Sequence, residues 1–274
     1  MNAMADVLPL WPSAWNPQAP LGQHASLRLH LLEGAAARPC IMVCPGGGYG
    51  ALAPHEGGHI ADWLNTAGFH AAVLSYRLGS AGHRHPAMIH DAQRGLRLLR
   101  HHAPDWQIKP DGIGVLGFSA GGHLASSLAV HHARLACEED DLAPHVPARP
   151  DAAVLCYPVI DMAGAAAHTG SRTNLLGPDP DPDLCELMST HRHVDHATPP
   201  TFLWHTAEDA GVAMDNSVLF AQGCRAAGVP VELHIYPHGR HGLGLADGWE
   251  GHARDAYVAT WADLCLAFLR SMLG

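Results

Sequence analysis

The tightest constraint on this chain is the stretch Gly117-Phe118-Ser119-Ala120-Gly121-Gly122-His123. It follows a short apolar run at 113–116 and opens a small-residue segment compatible with helix, so it reads as strand, sharp turn, helix. A hydroxyl at the apex of such a turn is held clear of the sheet. Only glycine-sized residues at 117 and 121 let strand and helix approach that closely, which is the G-x-S-x-G pattern of a nucleophile elbow. The unpaired N–H groups and positive dipole end of the following helix suit an oxyanion. Ser119 is therefore the candidate nucleophile. Glycine-rich connections between strand and helix are also common without any chemistry, so the rest of the chain has to decide between the two readings.

Strand-like runs recur at 40–44, 71–75, 113–117, 152–157, 201–206 and 231–236, several of them wholly apolar, as in strands covered on both faces. Between them stand helical segments. Residues 56–66 carry Ile60, Trp63 and Leu64 at helical spacing and stop at Gly68; others run from Pro86 to His102, over 120–132, over 217–227 and over 253–272. This alternation specifies the α/β class, a mostly parallel twisted sheet with helices on both faces. Residues 25–32 set Leu27, Leu29 and Leu31 against Arg28 and His30, the period of a half-exposed edge strand. Residues 1–24, with Trp11, Pro12, Trp15, Pro17 and Pro20, read as an irregular arm packed through its tryptophans. Between 158 and 200 the regularity lapses at Gly164, Gly170, Gly177, Pro178, Pro180, Pro182 and Pro199-Pro200. That insertion is expected to form a lid or pocket wall. With no seam elsewhere, residues 1–274 read as a single domain.

Composition narrows the function classes. Apolar residues at 47% are ample for a core, and a formal net charge of −10 excludes nucleic acid or an anionic membrane as the main partner, since both require a basic face. No run approaches the roughly 18 apolar residues of a membrane span. The first thirty residues lack a basic start and an unbroken apolar segment, so no secretory signal is read there. Seven scattered cysteines without C-x-x-C spacing suit reduced thiols, and the expected location is cytoplasmic.

A serine nucleophile on this scaffold needs an acid and a histidine in the chain order serine, acid, histidine. Asp209 follows the run 201–206 and His241 follows 231–236, so both lie beyond strand carboxyl ends, as Ser119 does, at the edge where open α/β sheets place ligands. His238 competes with His241, and Glu208 and Asp215 compete with Asp209. The turn Pro45-Gly46-Gly47-Gly48-Tyr49-Gly50 can expose successive N–H groups, or it can be a plain glycine turn.

Together with Ser75-Tyr76-Arg77-Leu78, Pro199-Pro200-Thr201-Phe202-Leu203 and His238-Gly239-Arg240-His241-Gly242, these motifs span 39–246 in an order that resembles the α/β-hydrolase superfamily. Within it the likeness is to the acetyl esterase and lipase branch, which includes acetylxylan-esterase-like and hormone-sensitive-lipase-like enzymes. The resemblance implies an α/β-hydrolase fold with a short lid-like insertion. It further implies that Ser119 attacks an ester carbonyl, His241 takes its proton, and Asp209 holds the imidazole. Backbone N–H groups of Gly47, Gly48 and Ala120 would bind the oxyanion, and water would clear the acyl-enzyme. No cofactor and no metal is implied. Two positions depart from the pattern: Pro45 stands where the lipase-like branch has histidine, and Gly211-Val212-Ala213 replaces Val-Pro after the acid.

The short insertion and the polar, histidine-rich stretch 158–196 suit small acyl groups on polar alcohols. A short-chain ester, such as an acetylated sugar, is thus the expected partner, and a homo-oligomer is left open. Rival readings are a peptidase or lipase on the same triad, a non-catalytic binding protein of this fold, and a metal-dependent hydrolase. The last would use His191-Arg192-His193-Val194-Asp195-His196, whose H-x-H-x-D-H spacing can hold zinc but which here lies late in the chain and follows no buried strand.

Overall fold

The computed structural model describes residues 7–34, 36–135 and 137–274, so the arm's first residues, 1–6, lie outside the described residues. Eight strands, β1 (Val7–Pro9), β2 (Ser26–His30), β3 (Arg38–Cys44), β4 (His70–Ser75), β5 (Ile108–Phe118), β6 (Ala153–Cys156), β7 (Thr201–Thr206) and β8 (Val231–Tyr236), form one sheet in the order β1-β2-β4-β3-β5-β6-β7-β8. From β4 to β8 every neighbouring pair is parallel, and β2 joins β4 antiparallel. The helices are α1 (Gly58–Thr66), α2 (Ala87–His101), α3 (Ala120–His131), α4 (Thr169–Leu176), α5 (Pro182–Leu187), α6 (Asp215–Ala226) and α7 (Thr260–Leu273).

The period-2 alternation of the strands divides the core into two layers. In β3, Cys40, Met42 and Cys44 point to the side covered by α2, α3 and α6, where they meet Leu96, Leu124 and Phe220. Ile41 and Val43 point to the other side and meet Leu64 of α1 with Trp261 and Phe268 of α7. Because both faces are covered, the central strands need no polar side, which is why they read as unbroken apolar runs. Among the described residues no helix is long and apolar enough to cross a membrane.

Four sequence expectations change. The arm is not wholly irregular: β1 pairs with β2 and becomes the sheet edge, so β2 lies one strand inside it. Three residues are too few to show an alternation. The arm is tied down by Trp11, whose indole N–H donates to Asp91 at 2.7 Å, and by Leu10, whose carbonyl accepts from Arg94. The stretch 158–200 contains α4 and α5. Pro182 starts α5 behind an Asp181 cap, where a proline's missing N–H is harmless, so residues that look like breakers mark a helix start. The closing helix begins at Thr260 and not near 253, because the Asp255 carboxylate accepts from the N–H groups of Tyr257 and Val258 and holds a turn there.

The junction of β3, β5 and α3 fixes the functional edge. Ser119 sits at φ 53° and ψ −118°, a strained conformation for a non-glycine residue. A Cβ added to Gly121 would lie 2.1 Å from the Cys44 carbonyl oxygen, and one added to Gly117 would lie 2.1 Å from that of Gly121. Both obstacles are backbone and cannot rotate away. Gly121→Ala is therefore expected to lower folding stability by more than about 2 kcal/mol, read as a fall in the urea midpoint. An unchanged midpoint would show that strand and helix have room to part.

Candidate active site

Ser119, placed by the end of β5, is 7% exposed, and its Oγ lies 2.8 Å from His241 Nε2. His241 comes from the loop after β8, and its Nδ1 lies 2.7 Å from Asp209 Oδ2. An ionised carboxylate only accepts, so Nδ1 carries the proton, and Nε2 is left to accept the serine O–H. The three residues lie on three separate loops, and parallel strands with short connections bring them to one edge.

Asp209 has a side chain with no exposure and is well supplied with donors. Its Oδ1 accepts the N–H groups of Gly211 and Val212, each at 2.8 Å. Burial pushes the carboxyl up, but hydrogen bonds from His205, His241 and the Val212 N–H outweigh it and hold the group well below the usual aspartate range. Gly211-Val212-Ala213, the departure from the family pattern, thus supplies a tight turn around the acid. A side chain on Gly211 would crowd His241 at 3.1 Å, so glycine lets the imidazole close on Asp209. His205, fully buried at the end of β7, donates from Nε2 toward the Val212 carbonyl at 2.9 Å and lies 3.3 Å from Asp209 Oδ2.

The rivals lie elsewhere. His238 and Glu208 pair with each other at 2.8 Å in solvent, with 75% and 59% of their side chains exposed. Asp215 opens α6 and lines a separate cleft with Asp161 and His191. In the 191–196 run, His193 donates to the Glu186 carbonyl and Arg192 pairs with the Glu186 carboxylate. Among the described residues no group of three or more His, Cys, Asp or Glu side chains is set to hold a metal ion.

The turn after β3 approaches Ser119 from its other side. Gly47 and Gly48 both have positive φ, 121° and 63°, and among the described residues neither N–H has a protein acceptor. The Ala120 N–H opens α3 at its positive end. Several side chains pin this turn. Tyr76 donates to the Pro45 carbonyl at 2.7 Å, and Asn174 of α4 donates to the Gly48 carbonyl at 2.8 Å. Tyr49 donates to His123 Nδ1 at 2.7 Å, while His123 Nε2 donates to the Met188 carbonyl. Burial lowers His123 to about 4 against the pull of that carbonyl, so this histidine is neutral and structural. Proline at position 45 does no harm, because it is the carbonyl of that residue that is held.

Polar side chains of the α4 segment back this turn. His168 caps α4, its Nδ1 accepting from the N–H of Ser171, and the Ser171 hydroxyl would lie 3.9 Å from a Cβ on Gly48. Sequence reasoning missed His205, Tyr76, His123, His168 and Asn174. Only His123, inside the Ser119 motif, and Tyr76, in the run after β4, carried a signal that could have found them. A larger cleft of about 1150 Å³ lies between the arm and the 82–90 segment and does not touch Ser119.

The chain matches the BD-FAE family over residues 31–223. Among curated proteins it is 35% identical over 246 residues to endo-1,4-beta-xylanase B of Butyrivibrio fibrisolvens, covering 86% of this chain and 38% of that protein. It is 35% identical over 233 residues to an acetylxylan esterase of Xylanibacter ruminicola, covering 83% of this chain and 45% of that protein. The chain thus spans less than half the length of these relatives. Among solved structures, the acetyl ester-xyloside bifunctional hydrolase from Caldicellulosiruptor lactoaceticus superposes with a TM-score of 0.88 at 44% identity, covering 98% of this chain and 97% of that one. A carboxylesterase from Lactobacillus plantarum gives a TM-score of 0.77 at 26% identity, covering 95% and 97% of the two chains. The chain therefore belongs to the BD-FAE family and has the α/β-hydrolase fold.

Proposed function

We propose that the chain is a serine carboxylesterase that hydrolyses short acyl esters of polar alcohols, in particular acetyl esters of carbohydrate. The observation that carries this reading is the hydrogen-bonded run from Ser119 Oγ through both ring nitrogens of His241 to Asp209. In the proposed reaction Ser119 attacks the ester carbonyl as His241 Nε2 takes its proton, and Asp209 stabilises the imidazolium. The carbonyl oxygen gains negative charge beside the N–H groups of Gly47, Gly48 and Ala120, donors worth about 3 kcal/mol each in other hydrolases. His241 then protonates the departing alcohol. Water, activated by the same imidazole, attacks the acyl-enzyme and releases the acid.

For substrate class, support comes from the polar, half-buried His168 and Asn174 of the α4 segment beside Gly48, which suit an alcohol better than an apolar wall for a long chain would. The likeness to an acetylxylan esterase and to an acetyl ester-xyloside hydrolase supports the same class. The segment 158–200, which contains α4 and α5, would be the pocket wall.

Ser119→Ala is expected to cut kcat on p-nitrophenyl acetate by at least about a thousandfold with circular dichroism unchanged. Across p-nitrophenyl esters the wild type is expected to prefer acetate to octanoate by about tenfold or more in kcat/KM, and to release acetate from acetylated xylose. A full rate in Ser119→Ala, or a preference for octanoate, would sink the respective part of the reading. The low-lying Asp209 carboxyl also fixes a pH dependence. Its folded-state affinity for protons is depressed, so the stability it contributes is complete above the unfolded value of about 3.9 and is lost as pH falls below it. The wild-type urea midpoint should therefore drop more steeply below about pH 4 than that of Asp209→Asn. Parallel acid profiles for the two proteins would contradict this.

A further inference from the structure

Glu56 is 2% exposed in the short turn Pro54–Glu56 and is a buried ionisable group that the reaction above leaves unused. Its Oε2 accepts the Gly46 N–H at 2.8 Å, and its Oε1 accepts the Tyr157 hydroxyl at 2.6 Å. The Tyr157 oxygen in turn accepts the Gly244 N–H at 2.8 Å. Gly46 lies between this carboxylate and the nucleophile: a Cβ there would be 2.6 Å from Glu56 Oε2 and 3.0 Å from Ser119 Cβ. At one end, then, Glu56 grips the turn leading to Gly47 and Gly48. At the other, through Tyr157, it grips the loop that carries His241. A second tie runs alongside, from His55 Nε2 to the Gly242 carbonyl at 3.1 Å.

We propose that Glu56 is a positioning residue: its carboxylate holds the 46–48 turn and the His241 loop in register and sets a fixed negative charge behind the imidazole. The proposal rests on the hydrolytic reading above. Both oxygens of Glu56 face donors, the arrangement of a carboxylate rather than an acid. Burial raises the group above the usual glutamate range on balance, and the Tyr157 and Gly46 donors and the nearby His241 and His252 offset part of that rise. The Tyr157 ring stands edge-on to His241 with centroids 5.1 Å apart, so the carboxylate is one ring away from the imidazole. The imidazolium that forms as Ser119 attacks is thus flanked by Asp209 on one side and Glu56 on the other. His168, which burial holds below the usual histidine range, lies near His241, the exposed Arg240 donates to the His241 carbonyl, and His55 and His252 face Glu56.

Glu56→Gln keeps the shape and removes the charge. In the full chain, kcat on p-nitrophenyl acetate is expected to fall about tenfold to a hundredfold, with KM within about twofold. The acid limb of kcat/KM should move to lower pH, because losing a neighbouring anion disfavours the imidazolium. Tyr157→Phe keeps the ring but cuts the link to Gly244 and takes one donor from the carboxylate, so it lowers kcat and moves the acid limb no further than Glu56→Gln does. It carries the test if Glu56→Gln does not fold. The double variant should lose no more than the worse single variant, since both cut one link. Unchanged kcat and acid limb in Glu56→Gln alongside lower thermal stability, unchanged kcat in Tyr157→Phe, or additive losses would overturn the proposal. A wild type without Ser119-dependent turnover would remove the hydrolytic reading only. The His241 ring proton, assigned by its loss in His241→Ala and titrated by NMR without substrate, should still shift to lower pH in Glu56→Gln, and no shift would overturn the charge role.

Discussion

Between the α-carbon of Gly121 and the carbonyl oxygens of Cys44 and Pro45 there is no space for a methyl group. This backbone contact brings the end of β3 against the start of α3, and the positions of the other functional groups follow from it. It forces the chain to turn sharply at Ser119 and lifts the hydroxyl off the sheet. It also sets the glycine turn that follows β3 beside the serine. The strain at Ser119 persists because the parallel pairing of β3 with β5 and β5 with β6 leaves the turn no alternative path.

The second requirement is a buried anion that remains an anion. Burying a lone carboxylate is expensive, and such a group survives only with donors around it. Asp209 has two backbone N–H groups and two imidazoles. Glu56 has one backbone N–H and one phenol. The two carboxylates lie in different parts of the scaffold, one after β7 and one in the turn before α1, and His241 bonds the first directly and reaches the second through the Tyr157 ring. In the proposed reaction such a site would need little rearrangement as charge develops, which is how preorganised polar groups lower a barrier.

The parts legible in the sequence are those whose signal is local. The central strands declared themselves because burial on both faces leaves unbroken apolar runs, and Ser119 because a backbone contact demands glycine at fixed offsets. Asp209 and His241 could be reached only through their place after strand ends, and there Glu208 and His238 fitted nearly as well. In the fold those two pair with each other in solvent. Glu56, His205 and Asn174 were not legible, since what matters about each is a partner far along the chain: Tyr157 for Glu56, and Gly48 for Asn174. β1 was too short to show a period, and the proline that opens α5 looked like a break because its capping aspartate also suits a turn.

The central claim is that the fold makes one serine hydroxyl uniquely reactive through His241. Treating the folded protein with an aryl phosphonate and locating the adduct by peptide mass spectrometry tests it directly. The account predicts a single adduct on Ser119 in the wild type, and none in His241→Ala or in urea-unfolded protein. An adduct on another residue, or equal labelling of Ser119 with and without His241, would contradict it.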